Sequence, residues 1–222
     1  KRNSDTCSLG DWVENRHKLP SGLAGLAKKI NDLGMAFGLW FEPEMVSEDS
    51  DLYRAHPDWA IQNIARSHTY SRQQLVLDLS KEEVCDYLIE AVSAVLQSAP
   101  ISYVKWDMNR NITNIPEHQA NHEKHEFYHR YMLGLYRVLE ELNRRFPDIL
   151  FESCSGGGGR NDLGMLYYMP QAWASDNTDA IGRLSIQEGT GLIFPAISVG
   201  SHVSAVPNHH SGRVTPLATR GH

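Results

Sequence analysis

The chain has 222 residues and a net charge of −6, with 41% hydrophobic and 22% charged side chains. That length can bury a sizeable core in one large domain or two small ones, and the mixed composition excludes a disordered tail. The acidic balance lacks the electrostatic footprint of a nucleic-acid binder, and no run approaches the roughly 18 apolar residues of a membrane span.

Strand and helix signals alternate along the chain. Pro20 opens a helix in which Leu23, Leu26, Ala27, Ile30 and Leu33 recur at helical spacing, and Gly34 ends it. The apolar run Met35 to Phe41 is short enough for a buried strand, and Leu75–Leu79 reads as another. Ser80 is placed to cap a helix whose stripe is Val84, Leu88, Ala91, Val92 and Val95, with Glu82 and Glu83 in its first turn. Ile101–Trp106 is the next strand. A long helix from about His122 to Phe146 follows, with Tyr128, Met132, Leu135, Leu139 and Leu142 on one face and Pro147 breaking it. A strand at Ile149–Glu152, a glycine run, a short helix near Leu163–Tyr168 and a strand at Gln171–Ser175 come next. A helical stretch near Ala180–Thr190 then precedes the apolar run Phe194–Val199.

Repeated strand–helix units point to a parallel sheet with helices outside. Units of this spacing suit a (β/α)8 barrel better than a small doubly wound sheet. The opening KRNSDTCSLGDW and the close at LATRGH read as cuts in a longer chain. The expected unit is therefore residues 1–222 as a partial barrel, with its first and last strands outside. Cys7, Cys85 and Cys154 form neither a disulfide framework nor a zinc pattern, which makes a reduced cytoplasmic setting the default.

Four strand ends carry polar clusters straight after the apolar run. They are Trp40, Glu42 and Glu44; Lys105, Trp106, Asp107 and Asn109; Glu152, Cys154 and Ser155; and Ser175, Asp176 and Asp179. In a barrel these ends share the face where chemistry takes place. Asp107 alone could cap a helix or pair with Lys105 or Arg110. Asp107 and Asp176 from different strand ends could instead flank one bond, as in glycoside hydrolysis. Trp40 and Trp106 offer flat faces for a sugar ring, Trp106 being equally suited to core packing, and Arg72, Lys105 and Asn109 can bond hydroxyls. Lys105, two residues before Asp107, would share its side of the strand and help hold it as the anion. The GGGGR run at 156–160 lacks the Lys-Ser/Thr of a phosphate-binding loop; it serves either ligand approach or a tight turn. Cys154 reads as a small wall residue rather than a thiol nucleophile. No metal-ligand spacing joins His202, His209 and His210.

The motifs SLGDW, GLWFEPEMVSEDSDLYRAHPDW, YVKWDMNR, FESCSGGGGR, WASDNTDA and GSHVSAVPN together resemble glycoside hydrolase family 36, the microbial α-galactosidases, over nearly the whole chain. The resemblance implies a (β/α)8 catalytic barrel that hydrolyses terminal α-linked galactose with retention and needs neither metal nor organic cofactor. It implies Asp107 as nucleophile and Asp176, not Asp179, as acid/base. Galactose-binding positions fall on Trp40, Arg72, Lys105, Trp106, Asn109, Cys154 and Gly157. Cys154 and the glycines would line the 2-hydroxyl side, where relatives acting on N-acetylgalactosamine need more room. An Asp-Asp-Gly-Trp motif of the family is absent, and His210 stands where a Gln is expected. The implied partner is an α-galactoside oligosaccharide, with no nucleic acid and no membrane, and family members of this type are often homo-tetramers. Same-fold alternatives are an α-N-acetylgalactosaminidase and a raffinose-synthase-like galactosyltransferase. An inactive sugar-binding fragment is the alternative from another class.

Overall fold

Parallel strands alternate with amphipathic helices, giving an α/β fold. The computed structural model describes residues 3–62, 70–113, 115 and 126–221. The chain divides into two units, residues 1–150 and 151–222.

In the first unit α1 (Gly22–Asn31) starts where the Glu14 carboxylate accepts the Leu23 N–H at 2.8 Å, placing negative charge at the positive end of the helix dipole. Strand β1 is Gly38–Phe41, and the two-residue β2 is Met45–Val46. Helix α2 (Asp51–Ala55) is capped by the Ser50 hydroxyl, which accepts the Tyr53 N–H. Strand β3 is Leu75–Val76, α3 is Glu82–Gln97, β4 is Tyr103–Trp106 and α4 is Phe127–Arg145. Strands β1 and β4 run parallel with Gly38 opposite Tyr103 and Phe41 opposite Trp106. The core of this unit combines Val84, Leu88 and Val92 of α3, Val104 and Trp106 of β4, and the stripe Phe127, Tyr131, Leu135, Val138, Leu139 and Leu142 of α4. Gly134 of α4 packs so closely that a Cβ there would overlap the Leu79 carbonyl oxygen.

Several local expectations shift. The helix expected to run through Leu33 ends at Asn31, and Leu33 is exposed, as is Met35 before β1. Leu75–Leu79 does not join the parallel sheet; β3 pairs antiparallel with β2, Met45 opposite Val76. Ser80 does not cap α3. Its hydroxyl bonds the Asp78 carboxylate at 2.5 Å, and the cap position is Lys81. On α4 Tyr128 faces outward while Phe127 and Tyr131 take the buried stripe, because the Tyr131 hydroxyl has a buried carboxylate to meet. His122, the expected start of this helix, lies outside the described residues.

In the second unit β5 (Leu150–Ser153, beginning at the division) pairs in parallel with β6 (Gln171–Ala172), Ser153 opposite Ala172. Helix α5 (Leu163–Tyr168) connects them, its N-cap Asp162 accepting the Met165 N–H at 2.9 Å. Helix α6 (Ala180–Gly191) follows, and Val199 returns as a parallel bridge beside Ala172. The apolar run before Val199 is not a buried strand: Ala196–Ser198 form a 3-10 turn and Ile197 is 90% exposed. A short α7 spans Leu217–Arg220. Among the described residues no helix is long and apolar enough to cross a membrane.

Candidate active site

In the first unit the in-register pairing of β1 with β4 sends the residues after Phe41 and after Trp106 out of the same end of the sheet. The Asp107 N–H extends the ladder to the Phe41 carbonyl at 2.8 Å. Asp107 is 6% exposed, and three N–H groups converge on its carboxylate. Trp40 Nε1 donates to Oδ2 at 3.1 Å, Asn109 Nδ2 to Oδ2 at 2.7 Å, and the Met108 amide to Oδ1 at 2.9 Å. All three partners are donors, so the group is held as an acceptor with a fixed orientation.

Asn109 is itself fixed from behind. Its amide N–H donates to Glu42 Oε1 at 3.0 Å, and Gln74 Nε2 donates to Glu42 Oε2 at 3.1 Å. Glu42 is 1% exposed. Burial pushes its carboxyl above the ordinary range; the Asn109 and Gln74 hydrogen bonds oppose this, and the Asp107 charge adds to it. Glu44 is fully buried and ties the elements together, accepting from Trp106 Nε1 at 2.8 Å and from the Tyr131 hydroxyl at 2.6 Å.

The predicted ligands in this unit divide. Trp40, Asp107 and Asn109 come together. Lys105, half-buried on β4, is the register partner of Trp40. Arg72 is exposed and occupies left-handed backbone at φ 53°, followed by Gln73 at φ 58°. With the Gln74 N–H bonded to the Ser71 carbonyl, residues 71–74 make a tight turn of a kind usually left to Gly or Asn. Trp106 departs from expectation. Its ring is fully buried and its N–H is taken by Glu44, so it is core packing and presents no face to a sugar.

In the second unit the glycine run accommodates neighbouring backbone. Gly157 sits at φ 90°, and a Cβ on it would lie 3.0 Å from the Asp176 nitrogen and 3.0 Å from the Ser175 Cα. A Cβ on Gly158 would overlap the Ala174 carbonyl oxygen. Thus Gly157 and Asp176 are brought together. Cys154, 2% exposed, is a buried thiol at the end of β5. Asp176 is exposed, and its Oδ1 accepts from Trp173 Nε1 at 3.1 Å.

Asp179 does a different task. Its side chain caps α6 by accepting the Gly182 N–H at 3.1 Å and also accepts the Ser211 hydroxyl at 3.0 Å. Burial raises its carboxyl, but the Gly182 and Ile181 N–H groups, Ser211 and Arg213 outweigh that and leave it below the usual value. Glu42 was visible as an acid after a strand, but its bond to Asn109 was not. Trp173 lay inside the WASDNTDA motif but was not singled out there; Gln74 and Arg183 were missed because their key partners, Glu42 and Gly200, lie 32 and 17 residues away. Among the described residues no group of three or more His, Cys, Asp or Glu is disposed to hold a metal ion.

A carboxylate presented by three donors at a strand end suits attack on an electrophilic carbon, and an exposed one held by a single indole N–H suits proton exchange. Known proteins are similar to this chain in sequence and fold. The melibiase family model matches residues 1–222. The α-galactosidase AgaA of Geobacillus stearothermophilus is 63% identical over 223 residues, covering 100% of this chain and 31% of that protein. A crystal structure of an AgaA variant with one aspartate changed to asparagine, in complex with raffinose, has a TM-score of 0.96 at 62% identity and covers 100% of this chain. Another variant, with a different aspartate changed to alanine and in complex with stachyose, has a TM-score of 0.95 at 62% identity and covers 99%. The chain spans about 31% of the length of these relatives. It belongs to the melibiase family.

Proposed function

We propose that the protein carrying this chain is an α-galactosidase. It hydrolyses terminal non-reducing α-D-galactose from oligosaccharides and galactosides such as raffinose, by a retaining, two-carboxylate double displacement. In this reading the chain is part of a (β/α)8 barrel in a cytoplasmic enzyme. Asp107 attacks the anomeric carbon, forming the bond from Oδ to carbon as the glycosidic bond breaks. Asp176, protonated, gives its proton to the departing oxygen. Asp176 then takes a proton from water, which displaces Asp107 and releases galactose with its configuration retained. Trp40, Lys105, Arg72 and Asn109 hold the sugar hydroxyls and ring, and Cys154 with Gly157 borders the 2-hydroxyl. No cofactor enters these steps.

The observation that carries the reading is the clamp on Asp107, with Trp40, Asn109 and the Met108 amide all aimed at its two oxygens. Spacing supports the pair of roles. The two aspartates replaced in the AgaA variants are 70 positions apart, and Asp107 and Asp176 are 69 apart within a match that extends over 223 residues of alignment. The strained backbone at Arg72 supports a binding task for that side chain, since such strain gathers at ligand clamps.

The test is turnover of p-nitrophenyl α-galactoside against its N-acetylgalactosamine analogue, with Asp107→Ala as the probe variant. The parent is expected to prefer the galactoside. Asp107→Ala is expected to lose turnover and regain part of it with azide, giving a β-galactosyl azide of inverted configuration. No rescue, or rescue with retention, removes Asp107 from the nucleophile role.

A further inference from the structure

Inside the second unit, a set of contacts around Asp176 is left unused by the mechanism above. Arg183 stands on the first turn of α6 and is only 8% exposed. One terminal nitrogen of its guanidinium donates to the Ser175 carbonyl at 3.0 Å. The other donates to the Gly200 carbonyl at 3.0 Å and to Gln187 Oε1 at 2.9 Å. Its Cζ also lies 4.9 Å from the centroid of the Trp173 ring, within cation–π range. The same Trp173 is pinned at its backbone, where its N–H meets the Ser153 carbonyl of β5 at 2.9 Å, and at its indole, whose Nε1 donates to Asp176 Oδ1 at 3.1 Å.

Burying a guanidinium is costly, and burial lowers the Arg183 pKa. Here the hydrogen bonds it makes go to two backbone carbonyls and an amide oxygen, and its flat face meets an indole. A planar fork can bond two carbonyls while its face rests on a ring; an ammonium on a flexible stem cannot do all three. The consequence falls on Asp176 twice: the carbonyl immediately before it is held, and the ring that donates to its carboxylate is held.

We infer that Arg183 is a positioning residue for Asp176, acting through the Ser175 carbonyl and through Trp173. The inference rests on the reading of Asp176 as general acid. Arg183 touches none of the reacting atoms; Trp173 meets the acid's own Oδ1, and Arg183, by holding that ring and the Ser175 carbonyl, sets where the acid's proton points.

A positioning fault in a general acid has a signature that a loss of folding does not. It slows substrates whose leaving group needs a proton and spares those whose leaving group departs unaided. The experiment compares kcat/KM for raffinose with that for 2,4-dinitrophenyl α-galactoside in the full-length protein, for Arg183→Lys, Trp173→Phe and Asp176→Ala. General acid catalysis contributes about 10²–10⁴-fold, so displacing the acid should cost raffinose roughly tenfold or more beyond any loss on the activated substrate. Trp173→Phe keeps a ring and removes the N–H donor, and it decides the matter if Arg183→Lys does not fold. Equal losses on the two substrates in both variants, with a clear bias in Asp176→Ala, overturn this inference alone. A lack of bias in Asp176→Ala overturns the reading of Asp176 beneath it.

Discussion

Replacing Gly157 by alanine tests whether the glycine run serves the neighbouring acid or only its own turn. Two costs can be read from the structure. The residue sits at φ 90°, outside the region that L side chains favour, and holding alanine in left-handed backbone costs about 1–2 kcal/mol. The added Cβ would also stand 3.0 Å from the Asp176 nitrogen and from the Ser175 Cα, both backbone atoms that cannot rotate away. Reaching ordinary van der Waals contact requires the loop or the Ser175–Asp176 backbone to yield by about 0.4 Å. If a misplacement of about 1 Å costs about 10²-fold in rate, this shift costs roughly sixfold. Gly212 supplies the control: it has φ 68° and open space where a Cβ would go. Both alanine variants should therefore lower Tm by a few degrees, about 2–4 °C per kcal/mol in a domain of this size. Only Gly157→Ala should lower kcat/KM for an α-galactoside. Unchanged activity in Gly157→Ala, or an equal loss in Gly212→Ala, would refute the claim that this glycine's close approach governs Asp176.

Four further outcomes follow from the same geometry. Gly134→Ala should destabilise by about 2 kcal/mol or more, since the Cβ overlaps the Leu79 carbonyl and overpacking outweighs the helix-propensity gain. Gly189→Ala, in α6 with nothing near, should instead gain up to about 1 kcal/mol; denaturant titration separates the signs. Glu42→Gln should raise stability at neutral pH. The folded carboxyl titrates above its unfolded value, so its penalty is fully present above the folded pKa and absent below the unfolded one. Thermal melts from pH 7 downward should show that gain fading as the carboxylate range is passed. Asp179→Ala has the opposite sign. The native carboxyl is held below its ordinary value, so the variant should be less stable at neutral pH. Its difference from the parent should shrink as the pH falls through the folded-state pKa of Asp179.

The positions proposed to bear chemistry could be read from local order. An apolar run followed at once by Asp107 places a carboxylate at the end of β4 whatever the rest of the chain does, and the α3 stripe needs only its own periodicity; Asp176 stands four residues past β6, whose strand ends at Ala172 rather than Ser175. What was not legible depends on pairing across the chain. Trp40 and Trp106 read alike, each one residue or two before an acid. The register of β1 on β4 sets Trp40 opposite Lys105 and Trp106 opposite Phe41, one residue out of step. That offset turns Trp106 inward to Glu44 and leaves Trp40 free to reach Asp107. Leu75–Leu79 had the composition of a buried strand but found its partner in Met45–Val46, an antiparallel choice that no short window reveals. Tyr131 rather than Tyr128 is buried because Glu44, 87 residues earlier, awaits its hydroxyl.

The same division runs through the site. Each proposed catalytic acid is announced by its own motif, which also contains direct partners such as Asn109 and Trp173, while the residues that hold those partners lie outside it. Glu42 and Gln74 hold Asn109 for Asp107; Arg183 holds Trp173 and the Ser175 carbonyl for Asp176. Glu42 and Arg183 are both ionisable side chains, buried at 1% and 8% exposure and bonded mainly to neutral groups. Placing charge-bearing groups there lowers stability unless something is gained in orientation. Substitution of either by a neutral isostere should therefore cost more in rate than in stability. An apolar-core explanation of the same burial predicts the reverse.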